Sequence, residues 1–307
     1  MSNRPNPLRA RWRKALEMLG APDVLAFPNP RVEKTIRKLL KKPFGGIRAG
    51  DVAGIAELKL DSHGIVELDF LRHFSGLTTL SLMGNAIRDL SPLSHLTGLT
   101  TLSLRFNEVH DLTPLAGLSA LERLDLGCTA CSDLSPLANL PALRRLDLYR
   151  TRVADLSPLT SLTALAHLNL GCNALSDLSP LANLAALTAL DLCDTQSGDL
   201  APLAQLKQLR TLDLSDNQLC DLSPLAQLTA LTHLDLSYNQ ICDLAPLAGL
   251  AALEQLDLRE NRVNDLSPLA GLGALAFLDL SDNGAIDLSP IAHLQVTPAL
   301  HSGQTEA

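Results

Sequence analysis

Carboxylates recur at one spacing through much of this sequence. Asp125, Asp147, Asp191, Asp213, Asp235, Asp257 and Asp279 are separated by 22 residues or a multiple of 22. Asn169 fills the one gap, and Ser81 and Ser103 stand earlier in the same column. Such a row can stay solvated, its members repelling by under about 1 kcal/mol per pair in water. Alternatively it can draw a cationic partner or a bridging Ca²⁺ ion. No compact calcium-loop pattern accompanies it, so the row reads as a solvated ladder and no metal is expected. His167 and His233 share a second column but sit three spacings apart, roughly 14 Å at the spacing of paired strands, too far to ligate one ion. Cys128 and Cys131 form a lone CxxC in which Cys131 takes a position filled elsewhere by Ile, Val or Leu, so it reads as core filler. Cys220 and Cys242 share a column in adjacent repeats, but parallel side-chain vectors argue against a disulfide. Neither a phosphate-cradling glycine loop nor a nucleophile elbow occurs. The chain is expected to be no enzyme and to use no cofactor.

Residues suited to recognition stand in three neighbouring columns that vary from repeat to repeat. Early in the chain they are Arg105, Phe106, Arg123, Arg145, Tyr149 and Arg150, a basic group with two aromatics. Arg and Tyr make good interface anchors because each joins a large apolar surface to directional donors. Later, the same columns hold Asp194, Asp216, Tyr238, Glu260, Phe277 and Asp282, beside Arg259. Together with Asp191, Asp213, Asp235 and Asp257 these residues form the candidate partner-binding set. Its expected character is two-ended, basic at the start and acidic at the end.

The elements that must position these side chains follow from the period. From Leu77 the chain divides every 22 residues without insertion or deletion, at Leu77, Leu99, Leu121, Leu143, Leu165, Leu187, Leu209, Leu231, Leu253 and Leu275. Each block opens Leu-x-x-Leu-x-Leu, as in Leu209-Arg210-Thr211-Leu212-Asp213-Leu214. The alternation sends positions 4 and 6 inward and positions 3, 5 and 7 outward, the pattern of one short strand per repeat. A strand so short cannot hide its own apolar face, so neighbours must stack into a continuous parallel sheet. Position 9 is Asn at 85, 107, 173, 217, 239, 261 and 283 and Thr at 129, 151 and 195, a buried polar ladder expected to satisfy turn backbone. Each block closes on Asp-Leu-(Ser/Thr/Ala)-Pro. At Ser223-Pro224 the Ser is expected to cap a short helix with Pro as its first residue, and Asp221 to add turn hydrogen bonds. About seven residues remain before the next strand, enough for a 3₁₀ or single-turn helix on the convex side. The block from Leu187 departs most, with Ser197 at an inward aliphatic position followed by Gly198, and predicts a soft layer.

Composition agrees. Apolar residues make up 46% of the chain but aromatics only 3%, so the core must be built of Leu and Ala layers. The net charge of −8 hides an asymmetry: residues 1–50 carry twelve Lys or Arg against three acids, the remainder thirteen against thirty. A basic head of this kind is expected to be a solvated helix face or a contact for a partner or membrane. In the segment before the repeats, Val32, Ile36, Leu39 and Leu40 are spaced for one helix face, Lys42-Pro43-Phe44-Gly45-Gly46 ends that helix, and a second short helix is expected near 51–55.

The segment from Phe27 to Pro43 and the run into Ile55-Ala56-Glu57-Leu58 resemble the helical cap of internalins and related bacterial repeat proteins. The 22-residue Asp-Leu-Ser-Pro-Leu blocks resemble the same family. The resemblance covers roughly residues 27 to 296 and implies an α/β fold: a right-handed leucine-rich-repeat solenoid. Its parallel β-sheet is concave, short 3₁₀ or helical turns line the convex side, and a helical cap closes the N-terminal end. The expected division is a basic arm at 1–26, a cap at 27–54, a solenoid at 55–296 with one degenerate and ten regular repeats, and a tail at 297–307. The family implies binding of a partner protein on the concave face, typically by surface-exposed bacterial proteins that engage host receptors. Eukaryotic phosphatase-regulating proteins with similar repeats show that intracellular partners suit the same architecture. Since Met1 to Leu19 lacks an apolar leader run, the expectation is a cytoplasmic monomer that binds protein and not nucleic acid. The alternatives are a bacterial effector exported by a non-classical route, or targeting to a membrane surface through residues 1–26, where Pro7 to Leu16 could form an interfacial amphipathic helix.

Overall fold

Leucine columns, repeated every 22 residues, set the architecture. The side chains at positions 1, 4, 6, 14, 17 and 20 of the regular blocks, as in Leu209, Leu212, Leu214, Leu222, Leu225 and Leu228, are buried and stack on their equivalents in one continuous core, except that Leu288 and Leu294 of the last block are partly buried. In the computed structural model, which describes residues 24–300, each block contributes a three-residue strand. These are β1 (Glu57–Lys59), β2 (Thr79–Ser81), β3 (Thr101–Ser103), β4 (Arg123–Asp125), β5 (Arg145–Asp147), β6 (His167–Asn169), β7 (Ala189–Asp191), β8 (Thr211–Asp213), β9 (His233–Asp235), β10 (Gln255–Asp257) and β11 (Phe277–Asp279). They form one open sheet in sequence order, every neighbour parallel and offset by one 22-residue repeat. At about 4.8 Å per strand it runs about 48 Å.

The return path of each block is a 3₁₀ turn, as expected, but its start is capped differently. In the turn Ser223–Leu225 the cap position belongs to Leu222, whose carbonyl accepts from the Leu225 N–H at 2.9 Å. The capping side chain is Asp221, whose Oδ1 accepts from the Ser223 N–H at 2.8 Å. All ten regular blocks repeat this contact, from Asp89 with Ser91 to Asp287 with Ser289. Closing an i to i+3 turn moves the start one residue earlier than an α-helical cap would, so Ser lies inside the turn and Asp does the capping.

Position 9 forms the buried ladder. Asn239 donates from Nδ2 to the carbonyls of Leu214 and Leu236, both at 2.9 Å, and its Oδ1 accepts from the N–H groups of Asn217 at 3.3 Å and Leu219 at 2.8 Å. One amide thus ties two repeats together. At Ser197, the register of β7 with its neighbours is unbroken, and Thr195 Oγ1 donates to the Ser197 hydroxyl at 3.0 Å. The final block slips by one: Ile286, not Ala285, is buried, after Gly284 at φ 90° absorbs the change.

At the N-terminal end, α1 (Pro30–Leu40) lays Val32 and Ile36 into the core, with Leu40 partly buried; Leu39 points outward instead of joining that stripe. Asn29 caps α1 and fastens it to the first repeat, accepting from the Arg31 and Val32 N–H groups and donating to the His63 carbonyl at 2.9 Å. The second helix, α2 (Ala49–Val52), starts two residues before the expected segment, because Asp51 accepts from the Arg48 N–H and holds its first turn. At the far end Ala299 pairs with β11 and partly covers its edge. No described helix is long and apolar enough to cross a membrane. Residues 1–23 of the arm and 301–307 of the tail lie outside the described residues, as does the Pro7 to Leu16 segment.

Replacing Asn239 by Ala should leave the N–H groups of Asn217 and Leu219 and two carbonyls short of partners in a buried layer. The expected cost is about 2–4 kcal/mol of unfolding free energy, at roughly 1–3 kcal/mol per unsatisfied buried group with partial relaxation. Urea denaturation followed by circular dichroism measures it; a loss below about 0.5 kcal/mol, the scale of a neutral surface change, would show that the ladder is dispensable.

Candidate functional site: the concave face

Two outward columns of the strands, two residues apart in the chain, make up the middle of the concave face. In β4 and β5, Arg-Leu-Asp places Arg123 and Arg145 in one column and Asp125 and Asp147 in the other, with Leu124 and Leu146 pointing inward between them. The pairing continues Arg145 to His167 and Asp147 to Asn169, then through Asp191, Asp213, Asp235, Asp257 and Asp279. Basic and acidic side chains therefore run side by side in the early repeats, while the acidic column alone continues through the late ones. A trough of about 510 Å³ lies over β3 to β8, with Arg123, Arg145, His167 and the column from Asp125 to Asp213 in its lining.

The aspartate column is less solvated than expected. Each carboxylate folds back on its own chain: the Oδ1 of Asp147, Asp191, Asp213, Asp235, Asp257 and Asp279 accepts the N–H two residues on at 2.9 or 3.0 Å. Asn169 does the same for Gly171 at 3.0 Å. Burial pushes Asp147, Asp213 and Asp257 above the usual carboxylate range, against the pull of those N–H donors, and neighbouring carboxylates add to the rise.

Of the early group, the fold brings Arg105, Phe106 and Tyr149 into one cluster. The Arg105 guanidinium lies 5.1 Å from the Phe106 ring centre and 5.5 Å from that of Tyr149, and reaches Asp147 at 3.3 Å and Asp125 at 3.8 Å. It crosses directly over Gly127, where a Cβ would clash with its Nη1. Arg105 is thus neutralised within the molecule and displays its aromatic partners. Phe106 is 53% exposed. The Tyr149 hydroxyl is pushed up to about 12, chiefly by hydrogen bonding to Cys172, and remains a neutral donor. Arg123, Arg145 and Arg150 are exposed. Arg123 has no ion pair among the described residues, while Arg145 Nη2 lies 3.3 Å from His167 Nε2. Burial, with Arg145 and Arg123 nearby, holds His167 below its ordinary value, so it accepts that contact as a neutral ring.

In the late group, Arg259 lies 5.1 Å from the Tyr238 ring centre and 3.9 Å from Asp257, leaving Tyr238 half exposed. Phe277 stands exposed on the edge strand β11, apart from that pair. His167 and His233 lie three strands apart. Position 8 is in the left-handed region in every regular block, at Gly84 and at Phe106, Cys128, Arg150, Cys172, Asp194, Asp216, Tyr238, Glu260 and Asp282. That turn projects Phe106, Arg150 and Tyr238 from the rim. Gly84 is the strongest sequence signal for it, with Asp194, Asp216 and Asp282 weaker ones.

One grouping went unread in the sequence. Asp191, Cys193 and Asp213 bring one potential ligand atom each within 4.8 Å of one another. Burial, followed by the two carboxylates, holds the Cys193 thiol well above its usual range, so as the residues stand it is a neutral sulfur between two acids. All six cysteines are free thiols, Cys131 is fully buried, and Cys220 and Cys242 are exposed.

The repeat pattern matches the family described as Leucine Rich repeats (2 copies) at residues 75–117, 97–139, 141–183 and 207–249. Among solved structures, the chain is similar to the internalin InlF of Listeria monocytogenes at 29% identity, over 90% of this chain and 91% of that one, with a TM-score of 0.76. Internalin C2 of the same organism is 33% identical, over 76% of this chain and 94% of that one, with a TM-score of 0.60. The functional domain of Listeria InlJ, which includes a cysteine ladder, aligns at 25% identity and a TM-score of 0.73, over 90% of this chain and 60% of that one. No curated protein sequence gives a match.

The two aspartate rows should respond oppositely to pH. A carboxyl held high by burial favours folding while protonated, and its contribution is lost as pH rises through the raised value. Asp213→Asn, which can keep the N–H contact as Asn169 does, should therefore raise the urea midpoint at pH 7, with the gain vanishing near pH 3. Asp221, held low by its contacts with Ser223, supports folding above the ordinary carboxylate value and loses that support as pH falls. Asp221→Ala should accordingly lower the midpoint at pH 7 and matter little in acid. Parallel pH profiles for the two variants would refute the assignment.

Proposed function

Because the chain belongs to the internalin-like leucine-rich-repeat proteins, we propose that it is a protein-interaction module that holds a partner protein on its concave face. The internalin-like fold is typically a non-enzymatic binding scaffold. The observation that carries the reading is the trough over β3 to β8, where exposed Arg123 and Arg145 stand beside a strip of carboxylates interrupted only at Asn169. A partner meets two opposite charges two residues apart on a rigid sheet, with the Phe106 and Tyr149 rings beside them. Such a surface favours a protein segment that presents acidic groups to the arginine column and basic groups to the aspartates. Complementarity of this kind fixes orientation and partner choice more than it adds affinity. The late pair of Tyr238 and Arg259, and Phe277 beyond it, lie six or more strands from Arg105, roughly 29 Å or more by strand spacing, so they serve partners long enough to follow the sheet.

Arg123→Glu/Arg145→Glu should reduce capture of the concave-face partner about tenfold or more, the effect of losing one central anchor. A control change on the exposed convex surface, Lys207→Glu, should reduce none. Affinity capture with quantitative mass spectrometry compares them. Retention of every partner by the double variant would remove the trough from consideration.

A further inference from the structure

We propose a second contact surface, distinct from the concave face: the tip of the N-terminal cap docks on anionic lipid bilayers, inserting Phe44 among headgroups held by a belt of lysines. Phe44 is 85% exposed, the highest value among the exposed large apolar side chains described. It sits in a loop that the structure holds firmly. Arg37 donates to the Lys42 carbonyl at 3.2 Å on one side of it and to the Gly45 carbonyl at 2.9 Å on the other. Glu33 in turn holds Arg37 at 2.8 Å, from one turn earlier on α1. A single guanidinium thus pins both flanks of Phe44 and presents its ring to solvent, with Gly45 at φ 79° making the bend. On the last turn of α1, Leu39 is 48% exposed.

The charge around these apolar groups is one-sided. Residues 27–54 hold seven Lys or Arg against two acids, and both acids are already paired, Glu33 with Arg37 and Asp51 with Lys42 at 2.7 Å. Arg31, Lys34, Lys38, Lys41 and Arg48 are exposed and have no ion pair among the described residues. Lys34, Lys38 and Lys41 follow one helix face and, with Pro30 and Pro43, line a groove of about 540 Å³ beside the loop. The occupant follows from that chemistry. The cations are mostly lysines, point charges on long stems that suit phosphate and carboxylate headgroups without fixed geometry. The apolar element is a projecting ring, which a bilayer interface can receive anywhere and a protein only with a matching pocket. An apolar anchor combined with a basic patch is the pair of signals that stable peripheral binding requires. The solenoid beyond residue 50 is strongly acidic, so an anionic surface would repel it and admit the cap alone, leaving the concave face free.

The test is co-sedimentation of the full chain with phosphatidylcholine vesicles, with and without phosphatidylserine. Binding is expected only with phosphatidylserine and should fall in high salt. Phe44→Ser and Lys38→Glu/Lys41→Glu should each weaken it roughly tenfold or more, with thermal unfolding unchanged because these side chains are exposed. A Phe44→Trp probe in a Trp12→Phe background, which removes the sole native tryptophan, should shift its emission to the blue on the same vesicles. Absence of binding, binding that both variants retain, or an unshifted emission from the Phe44→Trp probe would each overturn the proposal. Retention with an unshifted emission would place the contact in the basic segment before residue 24. None of these results bears on the concave face, because Arg123 and Arg145 are intact throughout.

Discussion

A three-residue strand satisfies few of the backbone groups in a 22-residue repeat, and everything else in this molecule depends on how the remainder are paired. The buried side chain at position 9 supplies the answer. Asn107 donates to the carbonyls of Leu104 in its own block and Leu82 in the previous one, and accepts from Ile87 behind it. Asn173, Asn217, Asn239 and Asn261 donate in the same way. Because each amide reaches back 25 residues as well as three, one inserted residue would unpair groups in two layers at once. At the Asn rungs that cost holds the strand register, which stays constant past Thr129, Thr151 and Thr195, whose hydroxyls bond carbonyls of their own blocks, and a constant register is what turns isolated outward residues into columns.

The columns themselves were legible in the sequence, because hydrophobic period alone decides which side chains face outward. What those side chains do after leaving the sheet was not. Spacing places Arg105 in the early basic group but shows position and not reach; its guanidinium travels over Gly127 to an aspartate two strands away. The aspartates counted as solvated for a similar reason, since an outward carboxylate can still rotate back onto the N–H two residues ahead. The left-handed turn at position 8 was hidden because Phe, Cys, Arg, Tyr and Glu occupy it in most blocks, none of which advertises positive φ as glycine does, and Asp, in three blocks, does so only weakly. The helical cap was readable as an amphipathic pattern, yet Leu39 fell on the wrong side because the helix ends one residue later, with Lys41 already left-handed.

The same residue type serves opposite ends on the two surfaces. The Asp column that caps the 3₁₀ turns is exposed and stabilised by the hydroxyl and N–H donors of the Ser or Thr two residues on, so several of its members sit below the usual carboxylate range. The concave column makes an equivalent backbone contact, but burial and like neighbours outweigh it at Asp147, Asp213 and Asp257. Asn169 shows that the turn needs only an acceptor and no charge. The charge on the rest of that column is therefore a cost to the fold, and its effect is a fixed negative field along the face.

That field, the arginine column and the cap can act independently because a solenoid transmits little along its axis. Each repeat touches its neighbours and almost nothing beyond them, so a perturbation decays over a few layers. The cap is fastened to the first repeat, through Asn29 and Thr35 on His63. The arginine column begins three strands further on, at β4. The Phe44 loop is held by Arg37 and Glu33, which lie within the cap, and none of these contacts reaches Arg123 or Arg145. Two surfaces on one rigid axis, set by one repeated amide, can thus be occupied together without competing.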